Sequence, residues 1–224
     1  MTKIAVLSDI HGNTTALEAV LADAKAAEVD QYWLLGDILM PGTGRRRILN
    51  LLASLPITVR VLGNWENSLW RGLHRKLDPT IASHRYLLRQ SQYILEDVSP
   101  EEIENLNNQP MQVHRQFGDL MVGITHHLFL DAKLRKDLRA QYMIIEFDEA
   151  GLSDVDFRRV DYDVEAELQL AKDLKLPYFQ VYYESLVNGI HHTHNHELLG
   201  QISEQEGYDQ DVELWMERDK KDWF

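Results

Sequence analysis

Four apolar runs in this chain each end in a short polar pair, and no other feature restricts its folding as strongly. Ile4 to Leu7 runs into Ser8-Asp9-Ile10-His11, and Tyr32 to Leu35 into Gly36-Asp37. Thr58 to Leu62 runs into Gly63-Asn64, and Leu120 to Ile124 into Thr125-His126. Each run has the length and the β-branched or aromatic content of a buried strand. Open α/β sheets bind ligands just beyond the carboxyl ends of their strands. One sheet carrying all four runs would gather Asp9, His11, Asp37, Asn64 and His126 on one rim. These are hard-to-borderline oxygen and nitrogen donors, suited to Mn, Fe, Zn or Mg ions. The signal lies in the set, because any one of these pairs alone is an ordinary turn.

Between the runs the chain alternates with helical patterns. Thr14 to Glu28 places Leu17, Val20, Leu21 and Ala24 on one face, with Asn13 or Thr14 as its N-cap. Arg45 to Leu55 is the next helix. This alternation predicts an α/β layered domain. Ser68 to Val98 breaks the rhythm: it is helical in pattern and carries Arg71, Arg75, Lys76, Arg85 and Arg89. It reads either as a solvated excursion or as a helical lid over the rim. Ser99-Pro-Glu-Glu opens a short helix, with Ser99 as cap, Pro100 in the first position and Glu102 as the third-position acid. Gln141 to Phe147 and Asp154 to Val160 form a hairpin around Glu149-Ala150-Gly151. Val164 to Leu174 and Tyr178 to Asn188 are helical or amphipathic. Residues 1–163 are therefore expected as one domain with a lid at 68–98, and residues 164–224 as a helical C-terminal extension. Its tail, Glu204 to Phe224, holds eight acidic and three basic residues and reads as solvated or frayed.

The 224 residues contain no cysteine, which rules out disulfides, thiolate zinc sites and iron–sulfur clusters and fits a reducing cytoplasm. No charged-then-apolar leader precedes the first strand, and no apolar run is long enough to span a membrane. A cytoplasmic protein without a membrane partner is the expectation. A net charge of −13 argues against duplex nucleic acid as a partner. It leaves room for a small anionic substrate, because a bound cation dominates the local field.

A carboxylate is the natural bridge between two cations. Asp37 is the expected bridge, with Asp9 and His11 on one ion and Asn64 and His126 on the other. Two divalent ions so placed activate water and neutralise a phosphoryl oxygen, which makes hydrolysis of a phosphate ester or anhydride the expected reaction. Arg45, Arg46 and Arg47 follow a Gly-rich turn and open a helix, so one of them is expected to contact a polyphosphate.

The motifs Asp9-Ile-His11, Gly36-Asp37, Gly63-Asn64 and the strand-ending His126 resemble those of the calcineurin-like metallophosphoesterases. The resemblance covers the first 126 residues and resumes in the hairpin and in Phe157-Arg-Arg-Val-Asp-Tyr-Asp163. It implies a layered sandwich of mixed sheets flanked by helices. The Pro41-Gly-Thr-Gly-Arg-Arg-Arg47 loop, Gly63-Asn-Trp-Glu66 and the long extension are similar to the bacterial branch with asymmetrical diadenosine tetraphosphate hydrolases and phosphodiesterases.

Two departures matter. Most of the family has a histidine after Gly-Asn that protonates the leaving group, and here that position is Trp65. Its absence favours anhydrides and activated diesters, whose leaving groups are weak bases. Trp65 itself either stacks on a base or packs under the lid. The family's Gly-His-x-His segment, with two more metal ligands, also does not follow His126. The chain passes from His126-His127-Leu128 to Phe129-Leu130-Asp131, with an apparent gap at 128–129. The missing elements amount to about 40–60 residues at ordinary element lengths, through an internal deletion or a segment omitted from the chain. Two alternatives follow: a catalytically impaired shell that binds nucleotide or a partner, and a metal-binding regulator using His191, His192, His194 and His196. That tract lies far along the chain from the rim and is not expected to replace the missing ligands. Should a residue other than Trp65 act as the acid, His127 is the first candidate. Oligomerisation through the extension is a further expectation.

Overall fold

The structure is a computed structural model that describes residues 1–126 and 137–218. The break expected at 128–129 and His127 lie outside those residues. The chain opens with β1 (Thr2–Leu7), α1 (Thr14–Ala26), β2 (Gln31–Leu34), α2 (Arg46–Ala53) and β3 (Ile57–Arg60). Three helices follow, α3 (Asn64–Leu73), α4 (Ala82–Leu95) and α5 (Pro100–Asn107). Then come β4 (Gln112–Phe117), β5 (Leu120–Thr125), β6 (Ala140–Asp148) and β7 (Gly151–Val160). The extension holds α6 (Val164–Asp173), α7 (Phe179–Tyr183) with a π-helical turn over Glu184–Asn188, α8 (His196–Glu206) and α9 (Tyr208–Glu217).

Five strands form one mixed sheet in the order β3-β2-β1-β6-β7, with β1, β2 and β3 parallel and β6 and β7 antiparallel. Period-2 alternation splits its side chains between two cores. Ala5, Leu7, Tyr32, Leu34, Tyr142 and Ile144 face the helices. Ile4, Val6, Trp33, Ile145 and Phe147 face the other way. The second face is covered by β4 and β5, which among the described strands pair only with each other. Phe117 of this ribbon stacks on Phe147, with ring centroids 3.7 Å apart.

The ribbon corrects one expectation. The fourth apolar run, β5, is not in the sheet of β1, β2 and β3; it lies on top of that sheet, and His126 reaches the rim from a second layer. Ile124 packs into the core beneath it, which fixes the depth of the strand's end.

Local signals explain the helix starts. Asn13 Oδ1 accepts from Ala16 N at 2.9 Å and caps α1. Ser99 and Glu102 form the reciprocal capping box of α5, with Pro100 in its first turn.

The described part of the acidic tail, to Arg218, is a second correction. Far from fraying, α9 docks on α4: Val212 is fully buried with Leu77 and Leu88. Asp209 pairs with Arg85 at 2.5 Å and Asp211 with Arg89 at 3.8 Å. Arg75 donates to the carbonyls of Met216 and Trp215 at the end of α9. Two of the segment's arginines are thus answered by acids of the extension and a third by its carbonyls.

Glu167 of α6 fastens the extension to the site loops. It is fully buried. Its carboxylate accepts from Thr15 N (3.0 Å), Thr15 Oγ1 (2.6 Å), Thr43 Oγ1 (2.7 Å) and the Tyr182 hydroxyl (2.9 Å). A buried acceptor serving four donors is costly to delete, because the donors lose their partners and water cannot replace them. Glu167→Ala is expected to lower folding stability by about 2–4 kcal/mol, read as a drop in urea midpoint.

Candidate metal centre

The rim is built from three tight loops at the carboxyl ends of β1, β2 and β3. Asp9 (φ 54°), His11 (φ 48°) and Asp37 (φ 57°) all adopt left-handed backbone that non-glycine residues avoid. Such strain persists where the surroundings fix it, and it concentrates at functional sites. Here the two loops fix each other: Asp9 N donates to Gly36 O (3.1 Å), His11 N to Asp37 O (2.8 Å) and Gly12 N to Ile38 O (2.8 Å). The loops after β2 and β3 touch at Gly36 and Gly63. A Cβ on Gly36 would collide with Gly63 backbone, and one on Gly63 with the Asp37 side chain.

The five expected donors are brought together around Asp37. Asp37 is 2% exposed. Its Oδ1 accepts from Trp65 N at 2.9 Å, at the start of α3. Its Oδ2 lies 3.9 Å from His11 Nε2 and 3.4 Å from His126 Nε2. Asp9 Oδ1 is 3.5 Å from His11 Nε2 on one side. Asn64 Oδ1 is 3.0 Å from His126 Nε2 on the other. Asp9, Asp37 and His126 each place a donor atom within 4.8 Å of the others.

Both histidines are held in the ligand tautomer. His11 Nδ1 sits 2.5 Å from Met40 O and His126 Nδ1 sits 2.6 Å from Leu35 O. A carbonyl only accepts, so Nδ1 carries a proton and Nε2 is the ring atom turned toward the cluster, the one that would ligate a cation. Burial pushes the Asp37 carboxyl up to about 6, against the opposing pull of the Trp65 amide and the histidines. Burial also raises Asp9, but hydrogen bonds from His11 and Ser8 outweigh it and leave Asp9 below its ordinary value. Burial lowers His11, and its contact with Asp9 and the charge of Asp37 overcome this and raise it. The buried Asp37 carboxylate, with exposed Asp9 and two imidazoles beside it, is stabilised by a cation, so the donor set fits divalent metal.

One residue escaped the sequence reading. Glu66 is 4% exposed. Its carboxylate accepts from Asp37 N (2.8 Å), Ile38 N (2.7 Å) and Gly63 N (3.0 Å). It therefore clamps the loops after β2 and β3 into the geometry that presents Asp37. Its spacing, a third-position acid after Gly63, was visible as a capping pattern; its reach to the β2 loop was not.

The other expected site residues have different partners. Arg45 donates to Tyr93 O and to Glu96 at 2.6 Å, and Arg47 to Glu18 at 2.5 Å. Arg46 is paired with Glu102, and this hydrogen-bonded contact holds the Glu102 carboxyl down at about 2. All three guanidinium groups are engaged by acids of the chain, so the structure does not turn them to the cluster as free phosphate contacts. Trp65 packs edge-on against His11, with centroids 5.6 Å apart at 83°, and against the cores under α4 and α7. It walls the His11 side of the site. The histidine tract comes nearer than its sequence position suggests: burial first, then the charges of His11 and His192, hold His191 below its ordinary pKa. Among the described residues the tract itself does not form a group of three metal donors.

The sequence matches the calcineurin-like phosphoesterase family over residues 2–223. The chain belongs to this family. The family is one of phosphoesterases that work with divalent metal ions. Its fold is shared by a metallophosphoesterase of Sphaerobacter thermophilus, at a TM-score of 0.58 and 23% identity over 84% of this chain and 100% of that one. A hypothetical protein of Pyrococcus horikoshii OT3 matches at a TM-score of 0.62 and 18% identity, over 85% and 100% of the two chains. A symmetrical bis(5'-nucleosyl)-tetraphosphatase of Sodalis glossinidius is 41% identical over 61 residues, 26% of this chain and 22% of that protein. No described helix is long and apolar enough to cross a membrane.

Outer groups that orient ligands are worth about 10–100-fold in metal affinity. Glu66→Ala is therefore expected to weaken Mn²⁺ binding by about that factor, in a calorimetric titration of protein whose circular dichroism is unchanged.

Proposed function

We propose that this protein is a two-metal phosphoesterase that cleaves phosphodiester or phosphoanhydride bonds of nucleotides, dinucleoside polyphosphates among them. The observation that carries the reading is the position of Asp37, a buried carboxylate with His11 and Asp9 on one side and His126 and Asn64 on the other. Those five residues are the proposed ligands of two divalent ions. When bound, such ions supply Lewis acidity toward water and a phosphoryl oxygen.

The chain's own residues do the rest. Glu66 holds the amides behind Asp37, so the carboxylate does not reorganise as charge develops. The carbonyls of Met40 and Leu35 keep His11 and His126 as lone-pair donors. Trp65 excludes water on the His11 side and offers an aromatic surface, but it brings no acid. The leaving oxygen must then depart as a stable anion, which suits a nucleotide phosphate better than an alkoxide. The stretch shared with the Sodalis glossinidius tetraphosphatase supports a nucleoside carried on a polyphosphate. The likeness of the Pro41–Arg47 loop and Gly63–Glu66 to the asymmetrical hydrolases supports the same class. The two differ only in which phosphorus is attacked.

With Mn²⁺ supplied, bis-p-nitrophenyl phosphate and dinucleoside tetraphosphates should be hydrolysed far faster than serine phosphate. Asp37→Asn should reduce the rate at least 10²–10³-fold, as expected when one preorganised electrostatic group is lost (about 3–4 kcal/mol). A strong preference for alkyl monoesters, or an Asp37→Asn variant near wild-type activity, contradicts the reading.

A further inference from the structure

The five-stranded sheet ends on one side in β7, which is hydrogen-bonded to β6 and to no other described strand. The strand is ten residues long and contains neither Pro nor Lys, the residues that most often blunt such an edge. Three of its apolar side chains are exposed: Leu152, Val155 and, at 79%, Phe157. By register they oppose Phe147, Ile145 and Met143, so they lie on the face that the β4–β5 ribbon covers elsewhere. The ribbon's turn reaches β7 at the Gly151 end, where a Cβ would sit 3.5 Å from Leu120.

We infer that β7 pairs antiparallel with β7 of a second copy, about a two-fold axis through Phe157, joining two sheets into one. An isologous contact requires a self-complementary strand, and Asp154-Val-Asp-Phe-Arg-Arg159 is one. Centred on Phe157, the pairing sets the two Phe157 rings against each other. It sets Asp156 opposite the partner's Arg158 twice, and cross-strand opposite charges and aromatic pairs both stabilise antiparallel strands. Centred one residue earlier, it would face Asp156 with itself, which like-charge repulsion disfavours. Asp156 and Arg158 are already oriented for this, being 2.9 Å apart within the strand, and Arg158 is steadied by Asp23 of α1 at 2.7 Å. The outward backbone amides and carbonyls of the edge, which no described strand pairs, would gain partners, and the apolar strip would leave water.

The cysteine-free sequence makes the register testable. Opposed residues of an antiparallel pair have Cα atoms about 4.5–5.5 Å apart, within disulfide reach. Light scattering should give the wild-type protein twice 26.1 kDa at micromolar concentration. Mild oxidation should convert Phe157→Cys to a covalent dimer, while Met111→Cys, at a 76% exposed position on the ribbon side, should stay monomeric under the same conditions. Val155→Lys, which sets a lysine opposite Arg159, should give a monomer with unchanged circular dichroism. A monomeric wild type, a Val155→Lys dimer, or a Phe157→Cys cross-link no faster than that of Met111→Cys would overturn the inference.

Discussion

A single buried carboxylate organises this molecule's rim. Glu66 takes amide hydrogen bonds from Asp37, Ile38 and Gly63, and so welds the loops after β2 and β3. With that clamp in place, Asp37 can adopt left-handed backbone, bury its side chain and still aim Oδ2 at two histidines. The β1 loop then locks on through three further backbone bonds. The burial that makes Asp37 hard to ionise alone is the property that makes a cation welcome beside it.

The extension supports this arrangement from behind. Glu167 binds the start of α1 and the loop before α2, while α8 and α9 brace α4, which in turn packs on α3. Trp65 joins both systems, because it touches His11 and also the core shared with Tyr178 and Val181. Change in the extension is therefore expected to be felt at the rim through packing, with Asp209 and Asp211 of α9 paired to the arginines of α4.

Much of this was legible in the sequence, for identifiable reasons. β1 and β2 declare themselves because a strand buried on both faces must be apolar, and their polar ends then stand out; β3, at the sheet edge, shows less of this. Asn13 and Ser99 announce α1 and α5 because capping is a local interaction. The placement of β5 was not legible: strand pairing is tertiary, and its partner β4, Gln112-Val-His-Arg-Gln-Phe117, carries only two apolar residues. The docking of α9 was not legible because the counter-charges of Asp209 and Asp211, Arg85 and Arg89, lie more than a hundred residues away. The acids that engage the arginines after Asp37 were hidden for the same reason, since Glu18, Glu96 and Glu102 come from other elements. Glu66 hid its role because its targets are backbone amides, which leave no mark in a sequence.

The central claim is that Asp37 joins two cation sites rather than serving one. Electron paramagnetic resonance of the Mn²⁺-loaded protein tests it most directly. Two ions bridged by one carboxylate give an exchange-coupled spectrum at saturation, and Asp37→Asn should convert it to the six-line signal of isolated ions. A six-line spectrum from the saturated wild-type protein, with one ion bound per chain, would contradict the account.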